Sequence, residues 1–273
     1  MNYGEWVWPG ETADEILLST YVCHPSMANN ELSGPVVATA LAQWVMSQPR
    51  RYTYRVLFVP ETIGAITYIS RHLDRLKRDT RAAFVLTCCG DERTFSFMPS
   101  RFGDTLPDRV ARAVLREYAP AFKEYSFLQR GSDERQLCSP GMDLPVVSMM
   151  RSKYGSADFP EYHTSLDDLT LVTPAGLAGG YEAVRRALTV LEENRRYRVT
   201  TPCEPMLSKR GLYRTLGAVG PLPEETRVIK DFCAYADGIL DVVALSVAIQ
   251  APIMACVAAA RRLREIGLIE PVD

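Results

Sequence analysis

Two hydrophobic periods take turns along this chain. Ile16 to Val22 is a short, continuous apolar and β-branched run, the signature of a buried strand. From Leu32 the spacing changes, and Val36, Val37, Ala40, Leu41, Trp44 and Val45 fall on one face of a helix. The exchange then recurs. Tyr52 to Pro60 reads as a strand rich in aromatic and β-branched residues, and Glu61-Thr62-Ile63-Gly64 leads into a helix through Ala65, Ile66, Ile69 and Leu73. Ala82 to Cys88 is a third strand, Asp108 to Tyr118 a short amphipathic helix and Val146 to Met150 another strand. Pro174 to Arg196 is a long helix with proline at its start. Met1 to Glu15, with Pro9-Gly10, reads as an edge strand and a turn, and Arg151 to Thr164 as a loop. Strands alternating with helices predict an α/β fold, a mostly parallel sheet with helices on both faces.

The pattern changes near residue 200. An α/β domain over 1–199 is followed by 200–223, a proline-bearing linker or strap with little periodicity. Residues 224–273 then read as a small all-helical, winged-helix-like domain with helices Glu224 to Ala236, Asp241 to Ile249 and Ala251 to Ile266. Asp241 is placed to cap its helix, and Pro252 suits a first turn.

Charge narrows the classes of partner. The chain carries a formal charge of −2, so no general affinity for nucleic acid or an anionic membrane is implied. The tail, Glu224 to Asp273, holds five basic residues against eight acidic ones. Pro252, Ile253 and Met254, which open its candidate recognition helix, are apolar rather than base-reading. Packing or homo-oligomer formation through this module is therefore expected, not nucleic-acid binding. No apolar run has the length of a membrane span, and no signal-peptide pattern opens the chain. Seven cysteines without a C-x-x-C pair predict reduced thiols and a cytoplasmic protein, with Cys88 and Cys89 in a strand of the core.

Candidate chemistry gathers in the loops after the strands, where open α/β sheets place their ligands. His24, Asn29, Asn30, Glu31 and Ser33 lie between the first strand and helix. Glu61 follows the second strand directly, and His163 lies in a later loop near Asp167 and Asp168. The third histidine, His72, sits among charged residues and is given no role. Read singly, each candidate has a plain structural role open to it: a loop histidine satisfying backbone groups, or an acid at a helix N-terminus. Read together, they suit one shared metal site with a carboxylate as general base.

The order His24…Asn30-Glu31-Leu32-Ser33-Gly34, Glu61-Thr62-Ile63-Gly64, Ser132-Asp133 and His163-Thr164-Ser165-Leu166-Asp167 resembles the family-28 zinc aminopeptidases. The likeness is closer to a bacterial subgroup of aminopeptidase-like proteins with a C-terminal winged helix, often encoded among polysaccharide-biosynthesis genes. The resemblance implies one zinc ion held by His24, Asn30 and His163, with Glu61 as general base and Asp133 and Asp167 supporting the site. It implies a peptide or amide substrate. Thr62 and Thr87 stand where two-metal relatives carry acids, so a single ion is expected. Asn30 stands where the family has a metal-binding aspartate, and a neutral amide there lowers the expected affinity. Glu31, one residue along, is expected to point elsewhere, and Asp91 is a further candidate acid. Two readings follow: a metal-dependent hydrolase of aminopeptidase type, or the alternative, a catalytically impaired paralogue acting as a binding or regulatory protein. Members of the subgroup carry a further N-terminal region, so a truncated frame or a reduced paralogue is also expected.

Overall fold

The computed structural model describes residues 2–212 and 223–272. They divide into two compact units, Met1–Ala187 and Leu188–Asp273.

The first unit is a seven-stranded sheet with helices. Its strands are β1 (Gly4–Trp8), β2 (Glu15–Tyr21), β3 (Thr53–Val59), β4 (Thr80–Leu86), β5 (Ser96–Met98), β6 (Lys123–Glu124) and β7 (Val146–Met150). Its helices are α1 (Ser33–Met46), α2 (Ile63–Asp79), α3 (Leu106–Tyr118), α4 (Glu134–Leu137) and α5 (Pro174–Glu193), the last running on past Ala187. The strand order is β1-β3-β2-β4-β7-β5-β6. β3, β2, β4 and β7 are parallel, and β1 and β5 run antiparallel to their neighbours β3 and β7. The mostly parallel α/β sheet is thus as the alternation predicts.

β2 lies at the centre, and every one of its seven residues is buried. A parallel strand covered on both faces needs such a continuous apolar sequence. The long apolar residues of β2, β3 and β4 fill the core, with Leu17, Leu57, Val85 and Val146 packed in one cluster. β1 is the edge strand expected from the N-terminal sequence, with three of its five residues exposed and none buried. A π-helical turn, Ala28–Leu32, stands between β2 and α1 and buries Asn29, Asn30 and Glu31. Cys88 and Cys89 lie just beyond β4 rather than within it, and both are buried.

The second unit opens with the last turns of α5. α5 stops at Glu193, and β8 (Arg196–Val199) follows at once. Only Tyr197 of β8 is buried, and this alternation of one apolar residue among arginines suits a strand better than a helix. The unit also contains α6 (Glu224–Tyr235), β9 (Asp237–Asp241), α7 (Val242–Ala248), α8 (Ile253–Glu265) and β10 (Ile269–Pro271). The three helices stand where the sequence puts them. An antiparallel sheet, β10-β8-β9, accompanies them, so the unit is winged-helix-like but not all-helical. Its strands are too short and too polar to carry a strong sequence signal. Of the segment 200–223, residues 213–222 lie outside the described residues.

α7 and α8 meet at 117°, the angle of a helix-turn-helix. Asp241 caps α7, its Oδ1 accepting from the Ala244 N–H at 2.8 Å. Ile253 is buried in the core of the unit. Arg261 and Arg264 on α8 both pair with Glu193, at 2.8 and 3.2 Å, and Arg262 lies 3.5 Å from Glu265. Three guanidiniums thus share two carboxylates, and the arginine cluster is partly neutralised. Among the described residues no single helix is long and apolar enough to cross a membrane.

Candidate active site

The residues singled out in the sequence meet beyond the carboxyl ends of β2 and β3. His24 follows β2, and the His163 ring, from a loop far along the chain, lies 4.5 Å from it between centroids. Tyr162 stacks on His163 at 3.8 Å. Glu61 follows β3 by two residues, so the strand delivers its carboxylate with little slack. A ring nitrogen of His24, a Glu61 carboxylate oxygen and the Cys23 Sγ all lie within 4.8 Å of one another. Burial raises the pKa of the Glu61 carboxyl, outweighing a hydrogen bond from Ser132 that lowers it, and the Glu31 charge adds to the rise.

The backbone around these groups is strained. Thr62 has φ 59° and His163 φ 60°, both at positive φ, which a β-branched residue such as Thr62 rarely adopts. Such positions persist only where surrounding contacts enforce them, and they concentrate at functional sites. The contacts at Thr62 are explicit. Its N–H donates to Asp133 Oδ1 at 2.7 Å, and Arg135 donates to its hydroxyl at 2.7 Å. Asp133 thereby holds the turn that aims Glu61. Its own corner is held by Glu134, whose Oε1 accepts from the N–H groups of Gly131 and Ser132 and from the Tyr154 hydroxyl.

Asp167 works on the opposite wall. Its two oxygens accept from the N–H groups of Asn29 and Asn30, at 2.6 and 3.0 Å, and so anchor the π-helical turn to the loop of His163. Asn30 is 2 % exposed. Its Oδ1 faces the Tyr21 hydroxyl at 3.4 Å, while its Nδ2 donates to Glu31 Oε1 at 3.2 Å. Thr87 contacts Tyr21 and the Asn30 carbonyl. Asp91 is used elsewhere, its oxygens accepting from Ser152 and Asn29. Asp168 accepts from Thr170 at the surface, and His72 packs on Tyr68 along α2.

Glu31 corrects the expectation that it points elsewhere. It is 3 % exposed, and its Oε1 lies 2.8 Å from His24 Nδ1 while its Oε2 accepts from the Cys23 N–H at 2.7 Å. Cys23 and Glu134 are the other site-building residues that the sequence alone did not single out. Cys23, His24 and Glu61, whose donor atoms lie within 4.8 Å of one another, are of the kind that hold zinc, and the His163 ring stands beside that of His24. The unsatisfied, buried Asp133 Oδ2 marks the site as a place where polar groups outnumber their protein partners.

Asp133 also sets a pH dependence. Burial, reinforced by the Glu61 and Glu134 charges, pushes its carboxyl up to about 7. An unfolded aspartate titrates near about 3.9. The folded state therefore holds this proton more tightly, and the contribution to stability falls as pH rises from about 4 to about 7, by at most about 1.4 kcal/mol per unit. Asp133→Asn keeps an acceptor for Thr62 and removes the titration. In chelator-treated protein the variant should gain stability over the parent as pH rises through that window. Unfolding midpoints that stay parallel from pH 4 to 8 would contradict this.

Fold and site together define an aminopeptidase-like α/β domain followed by a winged helix. Residues 1–194 match the family described as Domain of unknown function (DUF4910), and residues 195–271 match the winged helix-turn-helix family. The chain belongs to the DUF4910 family. It is 43% identical over 224 residues to a Clostridium acetobutylicum protein named for polysaccharide biosynthesis and an aminopeptidase-like domain, covering 82% of this chain and 51% of that one. The chain thus spans about half the length of this curated relative. A crystal structure from Clostridium acetobutylicum, described as a peptidase, superposes with a TM-score of 0.87 at 36% identity, covering 99% of this chain and 60% of that one. The aminopeptidase of Aneurinibacillus sp. strain AM-1 shares the fold at 16% identity and a TM-score of 0.58, over 68% of this chain and 47% of that one. The zinc aminopeptidase of Bacillus subtilis does so at 16% identity and 0.56, over 68% and 48%.

Proposed function

We propose that this chain is a metal-dependent hydrolase of aminopeptidase type, cleaving a peptide or amide bond with one zinc ion and a glutamate base. The observation that carries the reading is the convergence of the His24 and His163 rings, 4.5 Å apart, with the Glu61 carboxylate beside His24. His24 and His163, with Asn30 nearby, are the residues that would hold the ion. When bound, zinc supplies Lewis acidity to the scissile carbonyl and makes water a stronger nucleophile. Glu61 takes the proton from the attacking water and returns it to the leaving amine. Asp133 keeps Glu61 in register through Thr62, and Asp167 keeps the π-helical turn against the His163 loop.

A second reading is favoured by one observation, the neutral Asn30 at the place of an acidic ligand: a paralogue that keeps the fold as a binding or regulatory protein. Turnover separates the two. Aminoacyl anilides, short peptides and, because the relative's name links this domain to polysaccharide biosynthesis, amide-bearing sugars form the substrate panel. Zinc-dependent hydrolysis that disappears in Glu61→Gln supports the enzyme; no turnover on any of them supports the binding protein. The internally paired arginines of α8 favour a role for the winged helix in packing or self-association over nucleic-acid binding.

A further inference from the structure

The site needs a negative charge close to the ion, because a dipositive metal among neutral imidazoles and an amide is poorly compensated. Asn30 does not supply it. Its amide is divided between Tyr21 and Glu31, and it carries no charge in any protonation state. Glu31 is the buried acid in contact with a candidate ligand ring. Among the described residues its hydrogen-bond partners are donors of the site itself: the Cys23 N–H, His24 Nδ1 and Asn30 Nδ2. The π-helical turn Ala28–Leu32 puts it there, since the wider turn rotates residue 31 away from the course an α-helix would give it. Such single π turns recur at functional sites.

We propose that Glu31 supplies, through His24, the negative charge that Asn30 lacks, so that metal affinity in this chain rests on a carboxylate one residue further along. Accepting from His24 Nδ1–H, Glu31 fixes the tautomer whose Nε2 lone pair is free for the ion and makes that nitrogen more basic. It is a positioning residue, acting on the metal by way of the imidazole. The inference rests on the hydrolase reading only in that the site binds zinc.

Zinc titration by calorimetry on the whole chain tests it, with four proteins: the parent, Glu31→Gln, Asn30→Asp and the double variant. Glu31→Gln keeps the size and one hydrogen bond but loses the charge, and it should weaken zinc binding about 10- to 100-fold. In the double variant the charge returns at residue 30, and affinity should recover to within about tenfold of the parent, on the scale of a single such contact. That recovery also shows that Glu31→Gln is folded. Parent-like affinity in Glu31→Gln would overturn the proposal while leaving the hydrolase reading intact. A loss in Glu31→Gln that Asn30→Asp fails to repair, in a variant with the parent's unfolding midpoint, would overturn it as well. No zinc uptake by either the parent or Asn30→Asp would overturn the hydrolase reading and this proposal together.

Discussion

Glu61→Gln is expected to lower turnover by about 10³-fold, within the range lost when a positioned general base is removed. Zinc content and the substrate's KM should change little. Glutamine has nearly the same shape, so the strained turn at Thr62 and its bonds to Asp133 and Arg135 have no reason to move. What disappears is the capacity to accept a proton and give it back. The carboxyl stands where this matters, two residues past β3 and within 4.8 Å of a His24 nitrogen. Its titration adds a second signature: Glu61 must be ionised to act as base, so activity falls as pH drops through its pKa. Steady-state rates of parent and variant across pH read both effects. A variant that retains a tenth or more of the parent's turnover would remove Glu61 from the chemistry.

Gly34→Ala is expected to cost about 3 kcal/mol of stability, at the upper end for forcing atoms into a packed core. The added Cβ would stand 2.3 Å from the Leu86 carbonyl oxygen and 2.5 Å from Thr20 Oγ1. Leu86 closes β4 and Thr20 sits in β2, so the obstruction is sheet backbone rather than a movable side-chain tip. The Thr20 hydroxyl is also committed, donating to that same carbonyl at 2.9 Å. Helix α1 must therefore lift from the sheet, and the π-helical turn bearing Asn30 and Glu31 must lift with it. A thermal midpoint lowered by about 9 °C is the expected reading for a domain of this size. A midpoint within a degree of the parent's would show that the close approach of α1 to the sheet is not required.

Much of this arrangement could be read from residue order. The exchange of strand and helix periods placed the parallel strands, and the rule that sheet chemistry lies at carboxyl ends grouped His24, Glu61 and His163 before any coordinates did. Side-chain direction was less accessible. Glu31 next to Asn30 reads, on an ordinary helix, as pointing about 100° away; a π-helical turn changes that angle without leaving a mark in the sequence. Cys23 and Glu134 were passed over for a related reason. One is ordinary in a chain with seven cysteines, and the other matters only because Tyr154 and two backbone N–H groups close around it. The short strands β5, β6, β8 and β10 offer two to four residues each, too few for alternation to stand out from loop. The helix read from the sequence overruns into the first residue of β8, Arg196, because charged residues continue across the boundary and only the buried Tyr197 marks the strand.

Cobalt substitution reads the central claim most directly, because visible ligand-field absorption reports the geometry of whatever holds the ion. One equivalent of Co²⁺ added to the parent should give the intense bands of a low-symmetry, four- or five-coordinate site, and these should vanish in His163→Ala. Bands of equal intensity in parent and His163→Ala, or none in either, would contradict a site shared by two histidines so far apart in the chain.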